Sequence, residues 1–198
     1  MNKTLKDMLI GVLLGDAQIR RTGLDKAFIS FEQSSKKSEY VNYLHKLVQE
    51  GGLPLIGDNL REYLREDLRY QTKNKSLYFR TQSLEELKPI ADLFLNDEGK
   101  KVLPINIAEH LTPRSLAFWI MDDGQRVKTG GITLCTDSYS SDEINILREA
   151  LKNNFNLKTS IHNKKSKIEG VSYERIYIKK EEFEEFKPSL VSHMHETM

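Results

Sequence analysis

Two aspartates stand at the ends of short apolar runs. Residues 9–17 read LIGVLLGDA and residues 116–124 read LAFWIMDDG, so Asp16 and Asp123 each close a helix-like hydrophobic stretch beside a small residue. A helix C-terminus carries partial negative charge, and an anion there is disfavoured by roughly 0.3–1 kcal/mol. A chain that places such an anion twice implies a cation at both ends. Carboxylate oxygens that leave room for retained waters suit a hard divalent ion, Mg²⁺ first, with Mn²⁺ as a substitute. Paired ions about 4 Å apart serve in-line displacement at phosphorus, activating water and stabilising the leaving oxygen. Asp122 is a rival to Asp123. Aligning the two runs sets Asp16 opposite Asp123 and Gly15 opposite Asp122, which favours Asp123 as the second metal ligand.

Something must position these carboxylates, and the rest of the chain shows what. Gly11 and Gly15, spaced i, i+4, leave one helix face nearly bare and permit close approach of a partner helix. If the two motif helices pack there, Asp16 and Asp123 come side by side. The runs are also part of a longer duplication. LYFRTQSLEELKPI (77–90) matches IYIKKEEFEEFKPS (176–189) without gaps, and ISFEQSSKKSEYVNYL (29–44) matches ITLCTDSYSSDEINIL (132–147). The offsets are 107, 103 and 99 in chain order, as expected of one repeated unit whose second copy has slightly shorter connections.

Each copy reads as αββαββα. The first helix is 5–16 or 113–123, with Thr112 as N-cap and Pro113 at the first helical position in the second copy. Strands follow near 18–22 and 27–33, or near 125–128 and 131–137. The next helix is 36–50, closed by Gly51-Gly52, or 141–155, opened by the capping-box spacing of Ser140 and Glu143. A second hairpin covers about 58–82, or 156–180, and a last helix carries EELKP or EEFKP, its proline expected near the first turn. The fold class is therefore α+β, with residues 1–97 as the first half, 98–112 as a linker and 113–198 as the second half.

Charge is segregated onto the hairpins. Residues 61–80 hold six basic residues (Arg61, Arg65, Arg69, Lys73, Lys75, Arg80) against three acidic ones, and 157–180 hold seven (Lys158, Lys164, Lys165, Lys167, Arg175, Lys179, Lys180) against Glu169 and Glu174. Strand alternation turns Leu77, Phe79, Ile176 and Ile178 to the core, so that Tyr78, Arg80, Tyr177 and Lys179 share the other face. A sheet with one apolar and one basic-aromatic face suits a polyanion. The expected nucleic-acid contacts at alternate strand positions are Arg20, Ser30, Glu32, Arg61, Arg65, Tyr78 and Arg80 in the first half. In the second they are Gln125, Lys128, Thr133, Arg175, Tyr177 and Lys179.

Composition removes other classes. With 38% hydrophobic and 30% charged residues over 198 positions the chain reads as soluble and globular, and the net charge of +1 makes the distribution of charge, not its total, the signal. The single cysteine, Cys135, lies in a predicted strand; it can form no internal disulfide and is a poor nucleophile candidate, so a reducing compartment is expected. No apolar run spans a membrane, and the start of the chain has neither a signal nor a transit peptide, which makes an intracellular location the expectation. No P-loop, Gly-x-Gly-x-x-Gly, His-Glu-x-x-His or Gly-x-Ser-x-Gly motif is present. His193 and His195 are expected to face solvent.

LIGVLLGDA and LAFWIMDDG resemble the two defining motifs of the double-motif LAGLIDADG homing endonucleases, most closely the compact intron-encoded branch, and the likeness covers essentially the whole chain. The resemblance implies a monomer whose two repeats, related by a pseudo-twofold axis, set their antiparallel sheets as a saddle in the DNA major groove. It implies cleavage of both strands of a long site across the minor groove. In the family the last acidic residue of each motif binds metal, which carries over to Asp16 and Asp123. A lysine shortly before the second motif lies near the cleavage centre; GKKVLP offers Lys100 and Lys101, of which Lys101 is the choice. Relatives continue into a basic-aromatic tail with a second active-site lysine, whereas this sequence stops at Met198, so weaker cleavage in the second half is an expectation. An organelle-encoded member would work in a mitochondrion or chloroplast. The alternative function is that of an RNA-binding maturase assisting a group I intron.

Overall fold

The computed structural model describes residues 1–67, 72–166 and 170–197. Seven elements make the first repeat: α1 (Lys3–Leu14), β1 (Gln18–Arg21), β2 (Ala27–Ser34), α2 (Ser38–Glu50), β3 (Arg61–Asp67), β4 (Thr72–Arg80) and α3 (Lys88–Phe94). The second repeats the order with α4 (Pro113–Asp123), β5 (Gly124–Arg126), β6 (Ile132–Leu134), α5 (Ser141–Phe155), β7 (Thr159–Lys165), β8 (Ser172–Ile178) and α6 (Lys180–Val191). Two four-stranded antiparallel sheets result, ordered β1-β2-β4-β3 and β5-β6-β8-β7. The fold is mixed helix and antiparallel sheet, αββαββα written twice. Among the described residues no helix is long and apolar enough to cross a membrane.

Two compact units divide the chain. One holds Met1–Lys6, Asp16–Val102 and the residues from His195; the other holds Asp7–Gly15 and Leu103–Met194. Most of α1 therefore packs with α4. Both helices are apolar on nearly every side, and both are buried accordingly: Met8 to Ile10, Val12 to Leu14 and Leu116 to Met121 are all in the core. Asn2 Oδ1 accepts the Leu5 N–H at 2.8 Å and so opens α1. Thr112 caps α4 as expected, in a reciprocal box with Ser115, and Pro113 follows it. The Ser140–Glu143 box opens α5, which Asn156 closes in the left-handed conformation at φ 56°.

Each sheet turns one face to its core. In the first, Ala27, Ile29 and Phe31 alternate inward, and Phe31 stacks on Phe79 with centroids 4.4 Å apart. In the second, Ile132, Leu134, Ile176 and Ile178 do the same. Four details depart from sequence expectation. Pro89 lies in the first turn of α3, but Pro188 lies inside α6. The first copy inserts a 3-10 turn, Glu85–Leu87, before its helix, whereas the second passes from β8 through Lys179 straight into helix, so its Glu-Glu pair is already helical. The strand expected to reach 137 stops at Leu134: the next residue, Cys135, donates its N–H at 3.0 Å to the carbonyl of Asp123, which is still in α4, and Thr136 Oγ1 donates to Glu174 O at 2.7 Å. Its partner stops at Arg126, where the chain enters a tight turn ending in Gly130 and Gly131, both at positive φ. A Cβ on Gly131 would lie 2.4 Å from Ile178 O, so only glycine fits.

Candidate active site

The close helix approach that the two glycines permit is present. A Cβ on Gly11 would lie 2.3 Å from Ser115 O and 2.7 Å from Phe118 Cβ, and one on Gly15 would lie 2.5 Å from Asp122 Cβ. Gly15 thus faces Asp122, as the motif alignment pairs them. Asp122 is 9% exposed and belongs to this helix contact. Asp123, the last residue of α4, is half-exposed, so of the two neighbours it is the more open to solvent. Tyr139 packs nearby. Its hydroxyl donates to Leu14 O at 2.7 Å, satisfying one of the last four carbonyls of α1, which have no partner within the helix. Burial first, then the Asp123 charge, raises the Tyr139 phenol above its ordinary range.

Tyr139→Phe is therefore expected to lower stability by about 1–3 kcal/mol, the cost of an orphaned carbonyl, measurable by denaturant unfolding at neutral pH. The fold favours the neutral phenol, so its contribution is complete below the unfolded value near 10 and is lost as pH rises above it. The Phe variant should lack that alkaline loss.

Around Asp16 the arrangement is different. Asp16 lies in the turn after α1, exposed, and Gln33 Nε2 donates to its Oδ2 at 2.7 Å. Lys101 pairs with Leu95 in an isolated antiparallel bridge and its Nζ donates to Ala17 O at 2.9 Å, one residue beyond Asp16. Lys100 instead reaches Glu98 at 2.7 Å and stays in solvent. The bridge sends adjacent side chains to opposite sides, and it is Lys101 that reaches the backbone carbonyl next to Asp16. Gln33 escaped the sequence reading. The signal was there: strand alternation puts it on the inward face with Ile29 and Phe31, where a polar side chain 8% exposed needs a polar partner.

Cross-strand register gives most expected contact residues one shared face. In the first sheet Arg20 pairs with Phe28, Ser30 with Arg80, Glu32 with Tyr78 and Arg61 with Tyr78. Arg80 sits 4.9 Å from the centre of the Phe28 ring, and Ser76 Oγ donates to Glu32 at 2.7 Å. Arg65 is in β3, but its side chain, like the whole of Arg69 and Lys167, lies outside the described residues. In the second sheet Gln125, Thr133 and Tyr177 are in register, with Arg175 two residues along β8. Tyr177 stacks on His162 with centroids 4.5 Å apart, and its hydroxyl donates to Gly130 O at 3.1 Å. Lys128 and Lys179 are not on strands: the first is in the β5–β6 turn, and the second is the extended N-cap of α6. His193 and His195 are half-buried, not solvent-facing. Burial and then the Arg114 charge lower His193, and His195 packs on the Tyr43 ring at 4.8 Å.

Among the described residues no three His, Cys, Asp or Glu gather as a ligand cluster. One accessible carboxylate per motif is still a donor set that suits Mg²⁺, which binds through one or two carboxylates together with substrate phosphate and retained water.

The LAGLIDADG DNA endonuclease family model matches residues 6–186. A cytochrome b mRNA maturase, bI2 of Debaryomyces hansenii, is 30% identical over 164 residues, which cover 82% of this chain; the chain spans 61% of the maturase's length. The DNA endonuclease I-ChuI of Chlamydomonas applanata is 30% identical over 80% of this chain and 76% of its own. Among solved structures, the homing endonuclease I-WcaI bound to its DNA recognition sequence superposes on all of this chain and 84% of its own, with a TM-score of 0.85 at 24% identity.

Proposed function

We propose that this chain, which belongs to the LAGLIDADG DNA endonuclease family, is a site-specific double-stranded DNA endonuclease that hydrolyses one phosphodiester on each strand. The observation that carries this reading is the delivery of an accessible carboxylate by each motif helix, Asp16 just past α1 and Asp123 at the end of α4. These two aspartates would hold divalent ions, Mg²⁺ with Mn²⁺ as a substitute, which when bound activate water and neutralise charge at phosphorus. Gln33 orients Asp16 through the 2.7 Å bond to its Oδ2. The Lys101 ammonium, fixed at Ala17 O, sets a positive charge beside Asp16, where an anionic phosphate can meet it. The polar sheet faces supply base and phosphate contacts to a long duplex, and the chain acts as a monomer.

An RNA-binding maturase is the second reading, favoured by the maturase relative and by the same basic faces. The two part in one experiment. The purified chain is enriched on duplexes carrying a randomised insert in Ca²⁺, and the selected duplex is then given Mg²⁺. Both strands should be cut at one place. Affinity should fall steeply with salt, log K losing about 0.9 per phosphate neutralised for each decade, although the net charge is only +1. An enriched duplex left intact in Mg²⁺ and Mn²⁺, with tighter binding to a folded group I intron RNA, would replace the nuclease with the maturase.

A further inference from the structure

Arg175 is held with unusual completeness for a residue on an open sheet face. Its Nε and Nη2 donate to Oδ1 and Oδ2 of Asp137, both at 2.6 Å, and its Nη1 donates to Gln125 Oε1 at 3.2 Å. The side chain is 14% exposed and that of Asp137 34%. A guanidinium has five N–H donors in a fixed fork. Asp137 occupies the Nε–Nη2 edge and Gln125 one donor of Nη1, so one donor remains on each terminal nitrogen. A pair of donors from an arginine fork is what guanine's O6 and N7 accept in the major groove. Gln125, Thr133 and Tyr177 share this face, with His162 opposite Arg175 in the register.

The sheet does not need the arrangement to hold β8, which is already hydrogen-bonded on both sides. Affinity for a polyanion gives a reason against it. Asp137 cancels the charge that would draw Arg175 to any phosphate and adds a carboxylate that repels one. What remains useful in a locked, charge-compensated arginine is direction.

We propose that Asp137 and Gln125 fix Arg175 as the reader of one guanine in the DNA target, and that Asp137 also suppresses binding of Arg175 to DNA of the wrong sequence. Arg175 then contacts the base, and Asp137 is a positioning residue. This assignment rests on the reading of the chain as a site-specific DNA-binding nuclease.

The test selects binding sites from a randomised duplex pool in Ca²⁺ with the parent chain, Arg175→Lys, Arg175→Ala and Asp137→Asn, each checked for folding by its thermal transition. The parent should prefer guanine at one position by about 5- to 150-fold. All three variants should lose that preference and keep the others; Arg175→Lys does so while retaining the charge, since it lacks the fork. Binding to random duplex separates the roles. Asp137→Asn should tighten it and steepen the salt dependence by about 0.9 per decade, whereas Arg175→Ala should weaken it. Unchanged base preferences in folded variants, or preferences lost at many positions together, would overturn the assignment while leaving the nuclease reading intact. A parent chain that selects no sequence would overturn both.

Discussion

Asp16→Asn and Asp123→Asn are each expected to reduce double-strand cleavage by about a thousandfold or more. An amide keeps the shape of the carboxylate but not the charge that holds a divalent ion, and the charge stabilisation forfeited is several kcal/mol, at about 1.4 kcal/mol per tenfold in rate. Folding and DNA binding should survive both changes. Asn at 16 still offers an oxygen to Gln33 Nε2, and the bond that ties Asp123 to Cys135 uses the backbone carbonyl. Asp122→Asn is the informative control. That side chain is buried against Gly15, so its replacement should register in unfolding measurements more than in cleavage. Normal cutting by Asp123→Asn in Mg²⁺, with an inactive but folded Asp122→Asn, would reverse the assignment of the second ligand.

The architecture was legible where local chemistry and duplication agreed. Thr112-Pro113 and Ser140-Glu143 specify helix starts through their own backbone bonds, with no need for tertiary knowledge, and both are found as expected. Period-two alternation likewise assigns Phe79, Ile176 and Ile178 to the core. What stayed hidden depends on partners distant in sequence. Strand alternation marks Gln33 as an inward polar residue but does not name Asp16 as its partner, and nothing short of the bridge between Leu95 and Lys101 separates Lys101 from Lys100. The capture of Arg175 by Asp137 spans 38 residues and joins a loop to a strand. The misplaced proline of α6 and the strand position assumed for Lys128 have one cause: copying the first repeat onto the second overlooks its shorter connections.

Gly11→Ala should destabilise the chain by about 3 kcal/mol or more, at the upper end of overpacking costs. On an exposed helix face the same change would stabilise by roughly 1 kcal/mol, since alanine is the better helix former, so even the sign is diagnostic. The added Cβ would meet Ser115 O at 2.3 Å, a backbone atom of α4 that no rotamer change can move. Relief requires shifting α1 against α4. That helix cannot move alone, because Leu116 through Met121 are all buried and Thr112 and Ser115 lock its first turn. Gly15→Ala should cost somewhat less, because its nearest contact, Asp122 Cβ at 2.5 Å, lies a little farther off than Ser115 O does from Gly11, and the Asp122 carboxylate oxygen at 2.6 Å can rotate away. Denaturant unfolding of the parent and both variants measures the order directly, and a loss of about 3 kcal/mol is a large share of the roughly 5–15 kcal/mol typical of a folded protein. A Gly11→Ala chain as stable as its parent would mean that the motif helices do not meet at this face, and the packing that sets the ends of both helices would have to be abandoned.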